Sequence, residues 1–180
     1  MANTWAGLRL IGLGVVMLCS QPAWADWRSA LPDARLTGSG EYTWFGLRLY
    51  TARLWSAGPV QGWQRPFALE LIYHRALSRD ALVQASMKEI QRMADQPLPP
   101  DTAARWAQAM AEAFVDVRPG MRITGVYLPG QGGRFYVDGQ PSGEIADPAF
   151  ARAFFAIWLD PRTRDPQLRQ QLLGQAGAER

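Results

Sequence analysis

The stretch Met121-Arg-Ile-Thr-Gly-Val-Tyr-Leu-Pro-Gly-Gln-Gly-Gly-Arg-Phe-Tyr-Val-Asp-Gly-Gln-Pro-Ser-Gly-Glu-Ile145 decides the fold of this chain. Met121 to Leu128 reads as a strand, Pro129-Gly130-Gln131-Gly132-Gly133 as a turn, and Arg134 to Val137 as a second strand. Asp138-Gly139 is a two-residue hairpin signal, because both central positions of that turn require positive φ, and it leads into a third strand ending at Ile145. Strands joined this closely run antiparallel, since a parallel return needs a crossover of about a dozen residues or more.

Before this meander, Arg35 to Trp44 and Leu47 to Trp55 read as strands around Gly46. Phe67 to Arg75 follows, with Phe67, Leu69, Leu71 and Tyr73 on one side against Glu70 and His74 on the other. Ser78 reads as the N-cap of a helix that runs to about Asp95, where Pro97, Pro99 and Pro100 stop it. Asp101 or Thr102 caps a second helix, in which Ala103, Trp106, Ala107, Met110, Phe114 and Val117 recur at helical spacing. After the meander, Asp147-Pro148 opens a helix striped by Phe150, Phe154, Ile157 and Trp158, and a last helix covers Asp165 to Leu173. Strands, two helices, a β-meander and two helices give the α+β class: an antiparallel β-sheet with a layer of helices on one face.

The first 25 residues read differently. Arg9, an apolar run from Leu10 to Leu18, and the small residues Ala23 and Ala25 around Trp24 form a secretory signal with cleavage expected after Ala25. The apolar run is about half of the ~20 residues that a spanning helix needs. A lipid anchor on Cys19 would need a small residue before it, and Leu18 stands there. The expectation is therefore a periplasmic protein of one domain, residues 26–180, without a membrane span after cleavage. Removing Arg9 and Cys19 leaves 18 basic residues against 16 acidic ones, a net charge of +2, and no cysteine.

These residues exclude several chemistries. One histidine and no thiol argue against a metal site, and no acidic spacing resembles a calcium loop. The scattered, small charge argues against a nucleic-acid partner. Gly38-Ser39-Gly40 lacks the third glycine of a dinucleotide fingerprint, and no lysine follows Gly130 to Gly133. Both read as turns or close backbone approach, and no cofactor is expected. His74 sits in a strand without a nucleophile elbow and reads as structural.

One feature stands out on the first long helix. Leu82, Ser86, Glu89 and Met93 share a stripe, so a hydroxyl and a carboxylate lie among apolar side chains. A carboxylate there needs a partner, and Arg48 and Arg75 are candidates. The arrangement suits either a fold-locking ion pair or a polar patch at the end of an apolar cleft.

The linked segments Gly38-Ser-Gly40, Arg48-Leu-Tyr50-Thr-Ala-Arg-Leu-Trp55, Leu71-Ile-Tyr73-His-Arg75, Gly133-Arg-Phe-Tyr136-Val-Asp-Gly139 and Phe154-Phe-Ala-Ile-Trp158-Leu-Asp-Pro161 resemble, in order and spacing, the bacterial chalcone isomerase-like proteins. The resemblance implies an open-faced β-sandwich with a cleft between sheet and helices. In the plant enzymes that cleft closes a flavanone ring by adding a phenolate across an enone, while fatty-acid-binding relatives use it for a carboxylate and its tail. Carried over residue by residue, the enzyme's arginine falls on Tyr42, its strand threonine on Tyr50, and its helix tyrosine, lysine and asparagine on Leu82, Ala85 and Glu89. None of the five is kept, and a carboxylate at Glu89 would repel a phenolate.

The resemblance thus implies a non-catalytic binder of a small apolar or amphipathic, fatty-acid-like ligand, lined by Arg48, Tyr50, Tyr73, Arg75, Ser86 and Glu89 with Trp158 as a wall. Two alternatives stay open. One is isomerase or lyase chemistry on an enone-like substrate, with Glu89 as acid or base in an open cavity. The other is a periplasmic interaction module with exposed tryptophans.

Overall fold

The structure, a computed structural model, describes residues 26–175; the expected signal segment and its cleavage site after Ala25 lie outside the described residues. Six strands form a single antiparallel sheet in chain order: β1 (Arg35–Trp44), β2 (Leu47–Ser56), β3 (Phe67–Tyr73), β4 (Arg122–Leu128), β5 (Gly132–Val137) and β6 (Gln140–Ile145). Helices α1 (Arg79–Met93) and α2 (Pro100–Ala113) interrupt the strands after β3, and α3 (Pro148–Leu159) and α4 (Pro166–Leu172) close the chain. The expected class and element order are present.

Local chemistry explains most boundaries. The Ser78 hydroxyl accepts from the Ala81 N–H and opens α1. The Asp147 carboxylate accepts from the N–H groups of Ala149 and Phe150 at 2.9 and 3.0 Å and also from the Trp106 indole at 2.9 Å, so one cap ties α3 to α2. Helix α2 starts one residue before the expected cap, because Pro99 takes the N-cap position and Pro100 the first turn. It also stops short of Val117, which instead pairs with Leu77 in an isolated bridge while staying buried.

The helices cover one face of the sheet. Leu54, Phe67, Leu69, Leu71 and Phe135 meet Met87 and Ile90 of α1, Met110 of α2, Phe154 and Phe155 of α3, and Leu172 of α4 in one core. Helix α4 sits on β1, where Gly38 and Gly40 make room for it. A Cβ at Gly38 would overlap the backbone carbonyls of Gln171 and Leu172, and one at Gly40 the side chains of Gln171 and Leu168. The G-x-G pair is therefore a seat for a helix.

The opposite face is not bare. A 3₁₀ turn at Trp27–Ser29 lays Trp27 and Leu31 over Ala68, Val126 and Tyr136. This cover buries Ala68 on the second face of β3, and Glu70 on the same face is 3 % exposed between Arg53 and Arg122, although the alternation of the sequence reads as half-exposed.

Candidate functional site

Tyr42, Tyr50 and Tyr73 lie in register on β1, β2 and β3, in one row across the sheet. Tyr42 and Tyr50 stack with ring centroids 5.0 Å apart, and Tyr73 meets Tyr50 edge-on at 6.0 Å. From α3 above, the Trp158 indole N–H donates to the Tyr50 hydroxyl at 3.0 Å. Burial pushes the Tyr73 phenol well above its ordinary value. It does the same to Tyr50, and the Trp158 hydrogen bond, which acts the other way, is outweighed. Both stay neutral at physiological pH and can serve only as hydrogen-bonding groups.

Glu89 lies at the end of this row. Its carboxylate accepts from Arg164 Nε at 2.8 Å and from Arg92 Nε at 2.8 Å, and Arg92 also donates to the Arg162 carbonyl at 3.0 Å. Partial burial alone would raise the Glu89 carboxyl. The hydrogen bonds and charges of Arg164 and Arg92 outweigh it and hold the group below the usual carboxylate range. The same arginine and glutamate flank the Tyr42 phenol. Glu89 therefore carries a fixed negative charge that clamps α1 to the loop before α4.

The sequence-derived residues thus divide. Tyr50, Tyr73 and Trp158 come together, with Glu89 at their border and half-buried Ser86 one turn before it. The expected partners of Glu89 are corrected: Arg48 is exposed and bound to Glu41 at 2.8 Å, and Arg75 is exposed past the end of β3. Neither pairs with Glu89, whose carboxylate is taken by Arg92 and Arg164. His74 accepts or donates to the Thr51 hydroxyl at 2.8 Å, a structural contact.

Two shallow, open hollows mark the surface of the described residues, and neither is lined by Tyr50. A smaller one, about 220 Å³, lies between residues 30–34 and the loop after β2. The larger, about 350 Å³, is a groove between the end of α1 and α3 with Trp63, Ile90, Met93 and Leu98 among its walls. Ala153 and Ala156 face it from α3, and small side chains there leave the space open. Two arginines border it. Arg162 is held by Asp95 at 2.8 Å and Asp160 at 3.0 Å. Arg152 makes no ion pair among the described residues, and its guanidinium lies 5.9 Å from the Trp63 ring. The sequence gives no signal for this groove, because its walls are ordinary core residue types from three separate segments. Among the described residues no cluster of three or more potential ligands could hold a metal ion, and no helix is long and apolar enough to cross a membrane.

An antiparallel six-stranded sheet with its helices on one face, and a groove within that helical layer, defines a class of single-domain α+β proteins. The sequence match is more specific: residues 35–174 match the family described as chalcone isomerase-like, and the chain belongs to that family. No curated protein matches it significantly. Among solved structures, it is similar to a fatty-acid binding protein of Arabidopsis thaliana, at 12% identity and a TM-score of 0.59, over 80% of this chain and 88% of that one. At that identity the likeness establishes the fold.

Proposed function

We propose that this chain is an exported, non-catalytic member of its family that binds a small amphipathic ligand, a carboxylate with an apolar tail, in the groove between α1 and α3. The observation that carries this reading is the presence, in one groove, of apolar walls and the guanidinium of Arg152, which has no ion-pair partner among the described residues. A tail on Trp63, Ile90, Met93 and Leu98 removes apolar surface from water, and Arg152 offers a planar fork to the carboxylate. The likeness to an Arabidopsis protein described as fatty-acid binding supports the ligand class. The volume of the groove, about 350 Å³ and at the small end for ligand sites, favours a short or partly exposed tail.

In this reading the Tyr50–Tyr73–Trp158 cluster supports the site without lining it. Glu89, charged and doubly paired, offers no proton for isomerase or lyase chemistry at neutral pH.

The test is lipid extraction of the purified protein followed by mass spectrometry, with thermal shift on added decanoate. The expected result is a co-purifying carboxylic lipid and a higher Tm with decanoate. Ala153→Trp, which fills the groove, should abolish both, and Arg152→Ala should weaken decanoate by roughly tenfold. An empty protein indifferent to decanoate would sink the reading. Export is checked separately: the protein from a periplasmic extract should begin at Asp26.

A further inference from the structure

The chain makes the same tight turn twice. Asp138 and Gly139 close β5 to β6 at φ +48° and +83°, and Phe45 and Gly46 close β1 to β2 at φ +48° and +74°. Aspartate tolerates the left-handed region, but a bulky aromatic side chain is a genuine outlier there. Phe45 gains nothing from the core for this strain, being 86% exposed. Beside it Trp44 and Leu47 are 57% and 47% exposed, and the Trp44 and Phe45 rings lie 4.9 Å apart. The three form one apolar tip.

That tip projects. Pairing of β2 with β3 begins at Tyr50–Tyr73, whereas β1 and β2 continue to Trp44–Leu47, so residues 43–48 form a free two-stranded ribbon. At its root the His74 N–H donates to the Leu49 carbonyl at 2.8 Å, one residue before Arg75, and the Leu77–Val117 bridge lays the segment that carries Arg118 alongside the one that carries Arg75. Both arginines are exposed, and neither makes an ion pair among the described residues. The nearby acids are engaged: Glu41 with Arg48, and Asp116 with the Arg79 N–H.

We propose that the tip Trp44-Phe45-Gly46-Leu47 is a membrane-contact element that inserts into the interfacial layer of an anionic phospholipid bilayer, with Arg75 and Arg118 drawn to its headgroups. Three side chains on a ribbon offer far less than the ~800 Å² that each partner of a stable protein complex buries. A bilayer needs no matching shape, takes aromatic side chains at its interface and attracts adjacent cations. Either signal alone is weak, and the two together are the combination that anchors. The proposal stands on the hairpin and not on the groove.

The experiment is co-sedimentation of the purified protein with vesicles of equimolar phosphatidylcholine and phosphatidylglycerol, and with phosphatidylcholine alone. The wild type is expected to sediment with the mixed vesicles. Phe45→Asp, which copies the Asp138 turn, should weaken this by about tenfold while leaving Tm unchanged or raised. Arg75→Ala/Arg118→Ala should reduce binding to mixed vesicles toward the level seen with phosphatidylcholine alone. Ala153→Trp should bind vesicles as the wild type does, which separates this result from that of the groove. Wild type that stays in the supernatant, or Phe45→Asp that sediments equally, would overturn the proposal. So would a tip that is protected only by a protein partner.

Discussion

The Trp158 indole N–H and the Tyr50 hydroxyl meet at 3.0 Å and join α3 to β2 at the edge of the core. Tyr50→Phe leaves the indole donor without its acceptor and should destabilise by about 1–3 kcal/mol. Trp158→Phe removes the donor and adds lost packing against Phe154. In denaturant unfolding the double variant should be less destabilised than the sum of the two singles, because the shared bond is lost only once. Full additivity would mean that the contact contributes nothing.

Glu89 sets an acid limit on stability. Its folded-state carboxyl is held low by Arg164 and Arg92 against the opposing effect of burial, and Asp147 and Asp160 are also held low by their hydrogen bonds. A carboxylate whose folded value lies below its unfolded value contributes its full share above the unfolded value, about 4.3 for glutamate. That share is lost as pH falls through the folded value. Chemical denaturation should therefore give stability that is flat near neutrality and declines below about pH 4.5. Glu89→Gln should reduce stability by about 1 kcal/mol at pH 7 and make the acid decline shallower.

How much of this could be read beforehand depends on whether the cause is local. Asp138-Gly139, Asp147-Pro148 and Ser78 act on their own neighbours, and each stands where the turn or cap forms. The partner of Glu89 is a tertiary fact. Many arginines could have answered it, and only Arg92, one turn along the same helix, carried a signal in its spacing. Gly38 and Gly40 announce close approach without naming what approaches, since α4 lies over a hundred residues away in the chain. Glu70 was unreadable for the same reason: the arginines beside it, Arg53 and Arg122, come from the two neighbouring strands.

The seat of α4 can be tested one methyl group at a time. Gly38→Ala would drive Cβ into the carbonyls of Gln171 and Leu172, which are backbone and cannot turn aside. Gly40→Ala would meet the Gln171 amide and a Leu168 methyl, which can rotate. The expected losses are about 3 kcal/mol at Gly38 and under 1.5 kcal/mol at Gly40, measured by thermal unfolding. Equal effects would mean that α4 shifts as a unit and that its seat is not specific.

Glu70 gives the least intuitive outcome. Its carboxylate is buried, with Arg53 at 3.5 Å, Arg122 at 4.0 Å and no hydrogen bond to Oε2 among the described residues. Burying a charge at such distances recovers little of its desolvation. Both arginines are about half exposed and can be hydrated without their partner. Glu70→Leu should therefore leave Tm unchanged or raise it. Removing the arginines instead strands the carboxylate, and Arg53→Leu/Arg122→Leu should lose about 3–5 kcal/mol. Equal losses in the two experiments would instead mark the ion cluster as a net source of stability, and the direction of that asymmetry is what calorimetry would measure.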